Sequence, residues 1–243
     1  MFLFFEKILN LQNSKCPKFL ALAVIQITWG VILTAKRLQN SWAAKKLQPP
    51  FHNSEIATLC QAITSNYPFV KVLELGVNLY PTFDTLSSLL PQVKFVAVTN
   101  QLEKLVIFQS LYQTRTNVTV LSLELNQLTE CQDLDFDIVY TSNVLSYCNK
   151  QLTVEIIREL LRVSRRKIFL LELQTPNQYN AETNFYDVEG SAALFVRDYV
   201  QLTKNVATLM NIQIDVTYSK IKHPLWTNKY WKNYGSLIEI EKK

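Results

Sequence analysis

Apolar positions between residues 54 and 241 fall into two alternating patterns. Short, nearly continuous apolar runs at 70–75, 94–98, 118–122, 136–140 and 167–173 predict buried strands. Between them, apolar residues recur at three- and four-residue steps. This spacing predicts helices at 54–65, 82–90, 101–112, 151–163 and 191–210. Leu102, Leu105, Phe108 and Tyr112 mark one helical stripe, and Phe195, Tyr199, Leu202, Val206 and Leu209 another. On 151–163, Ile156, Ile157, Leu160 and Leu161 face inward, while Glu155, Arg158, Glu159 and Arg162 face water. Such alternation predicts an α/β fold, a parallel sheet with right-handed crossovers and helices on both faces. The end of the chain departs from it. Residues 212–218 and 235–240 both alternate as strands, separated by a loop, 219–234, with no helical pattern. Two such strands pair directly or lie near each other antiparallel.

A different pattern precedes the domain. Residues 19–35 carry no charge, and their apolar groups point in every direction around a helix. The run spans roughly 26 Å, just under a ~30 Å hydrocarbon core. Three readings stand: a membrane anchor, a helix buried on the domain, or a cleaved signal peptide. Lys36, Arg37, Lys45 and Lys46 follow the run, so an anchor would leave the rest of the chain cytoplasmic. A helix buried on the domain would instead leave the whole protein cytoplasmic. The chain thus divides into an N-terminal segment, 1–38, a linker, 39–53, marked by Gln48-Pro49-Pro50, and a domain, 54–243.

Composition narrows the partners. With 48% hydrophobic residues among 243, the chain can bury a sizeable core. A net charge of +5 permits contact with anionic lipid or nucleic acid and demands neither. The four cysteines lie far apart and there are only two histidines, so no zinc-ligand spacing exists and no metal is expected. Free thiols are the simplest reading of the cysteines.

The candidate chemistry lies where predicted strands end, because open parallel sheets bind ligands outside their carboxyl edge. The first strand ends in Val72-Leu73-Glu74-Leu75-Gly76, and Gly76 is one of only four glycines. A glycine there lets the backbone approach a ligand closely, or simply makes the turn into the next helix. This segment resembles the first motif of the class I S-adenosylmethionine (SAM) dependent methyltransferases. Phe136-Asp137-Ile138-Val139-Tyr140-Thr141-Ser142-Asn143 resembles the fourth motif of the same family. Five parallel strands closed by two more is that family's Rossmann-like, seven-stranded sheet, with an antiparallel C-terminal strand. The resemblance covers about 54–241 and implies SAM as cofactor and methyl transfer as activity.

Residue by residue, the resemblance places Glu74 near the SAM amino group and Gly76 beneath its methionine part. Asn78 and Tyr80 stand where the family has further glycines, and Asn tolerates a left-handed backbone. Thr99 and Asn100 replace the family's ribose-binding carboxylate, or else cap the following helix. Glu124 and the Leu125 amide match the adenine-binding turn; a solvent-exposed loop glutamate is the other reading of Glu124. Thr141, Asn143 and Tyr147 lie on the ligand side of the fourth strand, whereas Asp137, at its start, is structural. The loop 219–234 places His223, Trp226 and Trp231 among lysines. It would border the acceptor, a small molecule or a lipid, or fold back as its own small core. No catalytic residue is assigned. A methyltransferase fold retained as a non-catalytic binding or scaffold protein is the alternative to an enzyme.

Overall fold

The computed structural model describes residues 53–65, 70–77, 82–175, 183–186, 193–221 and 229–243. Helix α1 (Asn53–Thr64) precedes strand β1 (Lys71–Leu75). Then come α2 (Thr82–Leu89), β2 (Lys94–Thr99), α3 (Leu102–Tyr112), β3 (Val118–Ser122) and β4 (Phe136–Ser142). A 3-10 turn at Leu145–Tyr147 leads to α4 (Lys150–Val163) and β5 (Ser164–Leu173). The last third holds β6 (Thr183–Tyr186), β7 (Ala193–Val196), α5 (Tyr199–Leu209), β8 (Ile214–Lys220), α6 (Lys229–Tyr234) and β9 (Gly235–Lys242).

Seven strands form one sheet in the order β3-β2-β1-β4-β5-β9-β8. β1 to β5 pair in parallel, and β9 lies antiparallel between β5 and β8. This is the Rossmann-like, seven-stranded methyltransferase architecture that the resemblance implies. β1 sits at the switch point, flanked by β2 on one side and β4 on the other. Its interior strands are buried throughout and so read as unbroken apolar runs.

On one face Ile156, Ile157, Leu160 and Leu161 of α4 pack with Leu202 and Val206 of α5 over Leu73, Val139 and Ile168. On the other, Phe83 of α2 meets Tyr112 of α3 edge-on, ring centroids 5.0 Å apart. The polar face of α4 is less wet than its pattern predicts. Glu159 accepts from the Leu128 amide (2.9 Å), and Glu155 accepts from the Asn126 amide group (2.7 Å). Arg162 donates to the Leu128 and Cys131 carbonyls, both at 3.0 Å. α4 therefore braces the whole turn after β3.

Three expectations need correcting. The helix expected at 191–210 starts only at Tyr199; residues 193–196 form β7, paired antiparallel with β6. Phe195 accordingly lies on a strand. Leu102 and Leu209 are 69% and 78% exposed, so the buried stripes of α3 and α5 are narrower than their spacing suggests. The loop 219–234 contains the six-residue helix α6. Asp137 is structural as expected: it accepts from the Lys71 amide and from Arg165, both at 3.0 Å, at the edge opposite the site. Cys60, Cys131 and Cys148 are free thiols. Among the described residues no helix is long and apolar enough to cross a membrane, and no group of His, Cys, Asp and Glu could hold a metal ion. The apolar run 19–35 lies outside the described residues.

Candidate functional site

The register brings the predicted site residues to one edge. Leu75 stands opposite Val98 and Thr141, and Thr99 opposite Ser122. The turns that begin at Gly76, Asn100, Leu123 and Asn143 therefore leave the sheet side by side. β8 runs the same way, since Ser236 pairs with both Glu172 and Lys220. The loop after β8 thus also leaves from this edge, though three strands from β4. His223 and Trp226 in that loop lie outside the described residues, as does Asn78.

Gly76 has φ +76, a left-handed backbone that a side chain resists. A Cβ there would meet Val144 Cγ2 at 2.6 Å and Cγ1 at 2.9 Å, so Val144 fills the space a larger residue would need. The Gly76 and Val77 amides both donate to the Val98 carbonyl (2.9 and 3.1 Å), which ties the turn after β1 to the end of β2.

Glu74 is fully buried. Its Oε2 accepts from the Phe83 amide at the start of α2 (2.7 Å) and from the Tyr140 hydroxyl (2.6 Å). Burial pushes its pKa up to about 7, against the lowering effect of those hydrogen bonds. A carboxyl with a folded pKa above its unfolded value stabilises the fold when protonated. That contribution is complete below about pH 4.5 and disappears as pH rises through about 7. It amounts to on the order of 3 kcal/mol. Glu74→Gln should therefore flatten the fall in stability between those two pH values, measured by urea unfolding as a function of pH. An unchanged slope would show that Glu74 does not carry it.

Thr99 is 2% exposed, and its hydroxyl accepts from the Gln101 amide (3.2 Å). It closes the turn between β2 and α3; the N-cap position of α3 is Gln101, with no side-chain cap bond, so the helix cap expected of Thr99 or Asn100 is not seen. Asn100 and Glu124 are exposed. The Glu124 carbonyl accepts from the Gln127 amide (3.0 Å), shaping the turn that carries the Leu125 amide. Lys104, in the first turn of α3, reaches back and donates to the Val77 carbonyl (3.1 Å).

The loop after β4 has the most elaborate support, and its centre is a residue that sequence reasoning missed. Glu172, fully buried near the end of β5, accepts from the Val144, Leu145 and Ser146 amides at 3.0, 3.0 and 2.9 Å. It also accepts from the Ser146 and Thr141 hydroxyls at 2.7 and 3.2 Å. Burial raises its pKa even so. Arg197, 5% exposed, adds a second brace by donating to the Leu145 carbonyl (3.2 Å) and the Thr153 hydroxyl (3.3 Å). Thr141 is thereby a partner of Glu172 rather than an open contact. Asn143 is held at φ +57, its amide on the Leu171 carbonyl (3.0 Å). Its Oδ1 is buried with no hydrogen-bond partner among the described residues. An unpaired buried acceptor costs about 1–3 kcal/mol, so a donor arriving there would be favoured. Tyr147, 43% exposed, sits on the same turn. In sequence Glu172 reads as an ordinary residue near the end of a strand; its partners lie 26 to 31 residues away.

No family model matches the chain, and no curated protein does. Solved structures do match. The 1,6-didemethyltoxoflavin-N1-methyltransferase of Burkholderia thailandensis, solved with its substrate and S-adenosylhomocysteine, superposes with a TM-score of 0.55 at 8% identity. That match covers 95% of this chain and 92% of the other. Magnesium protoporphyrin IX methyltransferase of Synechocystis, with bound SAM, gives 0.53 at 13% identity over 79% and 80%. An N-methyltransferase of Bradyrhizobium japonicum, with S-adenosylhomocysteine, gives 0.52 at 11% over 86% and 98%. The chain has the class I methyltransferase fold.

Proposed function

We propose that the carboxyl edge around β1 and β4 binds SAM and that the protein transfers its methyl group to a small-molecule or lipid acceptor. The observation that carries this reading is the fold itself, with the orphaned Asn143 Oδ1 at its switch point. Most of the residues present fit the cofactor. Glu74, Gly76 and Asn78 would hold its methionine end, Asn143 would take a donor nearby, and Glu124 and the Leu125 amide would hold adenine. At the ribose, Thr99 and Asn100 supply no charge. SAM brings the reactive methyl sulfonium; the protein's part is to hold the acceptor in line with it and exclude water, a proximity effect. Tyr147, His223 and Trp226 are the proposed acceptor contacts.

A second reading, a non-catalytic binding or scaffold protein, is favoured by one observation. The polar groups closing β1 and β2 are already engaged within the chain, Glu74 by Phe83 and Tyr140, and Thr99 by Gln101. Calorimetry on the full-length protein separates the two. SAM should bind weakly. Glu124→Ala should weaken it roughly tenfold or more, the effect of losing a charged hydrogen bond. Thr99→Asp should tighten it by a similar factor, by restoring a charged acceptor for the ribose hydroxyls. No binding to any of the three folded proteins would leave the scaffold reading. Residues 19–35 are the proposed membrane tether, with the domain cytoplasmic; full-length protein that stays in the soluble fraction without detergent would refute that.

A further inference from the structure

Thr99 and Asn100 stand where the resemblance puts a ribose-binding carboxylate, and a cation is held on the neighbouring turn. Lys104 reaches from α3 across the crevice between the ends of β1 and β2 and rests on the Val77 carbonyl (3.1 Å). Val77 belongs to the turn after β1, which its own amide and that of Gly76 fasten to Val98. The ammonium is thus fixed at the corner where β1 and β2 end together. Thr99 Oγ1, at the end of β2, is buried and accepts from the Gln101 amide. Among the described residues no carboxylate pairs with Lys104, and its neighbour Glu103 is exposed.

The corner therefore has the wrong sign for a bare diol. A diol gains most from a charged acceptor, and here it would meet a charged donor and a neutral hydroxyl that already accepts from Gln101. Lys104 itself is half-buried, its one partner among the described residues is a neutral carbonyl, and burial pulls its pKa down. A partly desolvated ammonium gains from an anion more than from another neutral oxygen, because desolvation is offset only by charge pairing and hydrogen bonds together.

We propose that Lys104 makes this corner an anion subsite, so that the cleft prefers an adenine nucleotide whose ribose bears a 2′- or 3′-phosphate over one with a free diol. The proposal takes from the preceding reading only the position of the ribose between β1 and β2; it does not require methyl transfer. A phosphate on either diol oxygen would receive charge-assisted hydrogen bonds from the ammonium. The preference must weaken with salt, since half-exposed charges are screened.

The test is calorimetry on the full-length protein with four probes: adenosine 5′-monophosphate, adenosine 2′,5′-bisphosphate, adenosine 3′,5′-bisphosphate and S-adenosylhomocysteine. The wild type should bind one bisphosphate at least tenfold more tightly than the monophosphate, and the difference between the two bisphosphates tells which ribose oxygen faces Lys104. Lys104→Ala should erase that preference, and Lys104→Glu should reverse it in favour of S-adenosylhomocysteine. Circular dichroism confirms that each variant folds. Equal affinity for monophosphate and bisphosphates, or a preference that survives Lys104→Ala, overturns the proposal. If S-adenosylhomocysteine binds and neither bisphosphate does, this inference fails and the methyltransferase reading stands. If no probe binds, both fail.

Discussion

Glu172→Ala should destabilise the protein by about 4 kcal/mol or more, close to the limit a single substitution reaches. Five donors converge on this one carboxylate. The Thr141 and Ser146 hydroxyls can turn to other acceptors. The Val144, Leu145 and Ser146 amides cannot, because Arg197 holds the Leu145 carbonyl and the turn is buried. Each buried amide left unpaired costs about 1–3 kcal/mol. Against a total stability of roughly 5–15 kcal/mol, the loss would lower Tm by about 10 °C or abolish a cooperative transition. Glu172→Gln keeps one acceptor oxygen and should fall between. Glu239→Ala is the control: it removes an ion pair with Lys167 at 2.6 Å whose side chains are 23% and 35% exposed. Its loss should cost at most about 1 kcal/mol. Thermal unfolding followed by circular dichroism ranks the three. A Glu172→Ala protein as stable as Glu239→Ala would mean that the turn after β4 is not held by this carboxylate.

Gly76→Ala should cost about 3 kcal/mol. A side chain at φ +76 costs roughly 1–2 kcal/mol of that, and overpacking supplies the remainder. The new Cβ would lie 2.6 Å from a Val144 methyl, and Val144 is stiff at χ1 with its amide fixed by Glu172. The clash makes the two positions interdependent. Gly76→Ala combined with Val144→Ala should cost about 1 kcal/mol less than the two single losses added together. Urea denaturation of the four proteins measures that coupling, and strict additivity would show that the backbone angle alone excludes a side chain.

The strands were legible because buried parallel strands write themselves as unbroken apolar runs, as at Phe95–Val98 and Ile138–Tyr140. β7 was hidden for the converse reason. Ala193–Val196 continues the apolar spacing of α5, and what makes it a strand is its antiparallel pairing with β6 and the Arg197–Gln174 bridge to β5, neither of which is a local signal. The site divides along the same line. Gly76 and Asn143 announce themselves by residue type and by their place after a strand. Glu172 and Lys104 do not, since a glutamate ending a strand and a lysine in a helix's first turn are ordinary. Their roles come from partners 26 to 31 and 27 residues away. Thr99 shows that a hydroxyl ending a strand can serve its own turn, here by accepting from an amide two residues on.

Ligand is proposed to bind where the turns after β1, β2, β3 and β4 leave the sheet together. Hydrogen–deuterium exchange of the full-length protein, with and without saturating S-adenosylhomocysteine, tests it most directly. Slower exchange is expected in peptides covering 74–77, 97–101, 121–128 and 140–147, with peptides at the opposite sheet edge, around Asp137 and Arg165, unchanged. Protection confined to other parts of the chain, or none at all at saturating ligand, would contradict it.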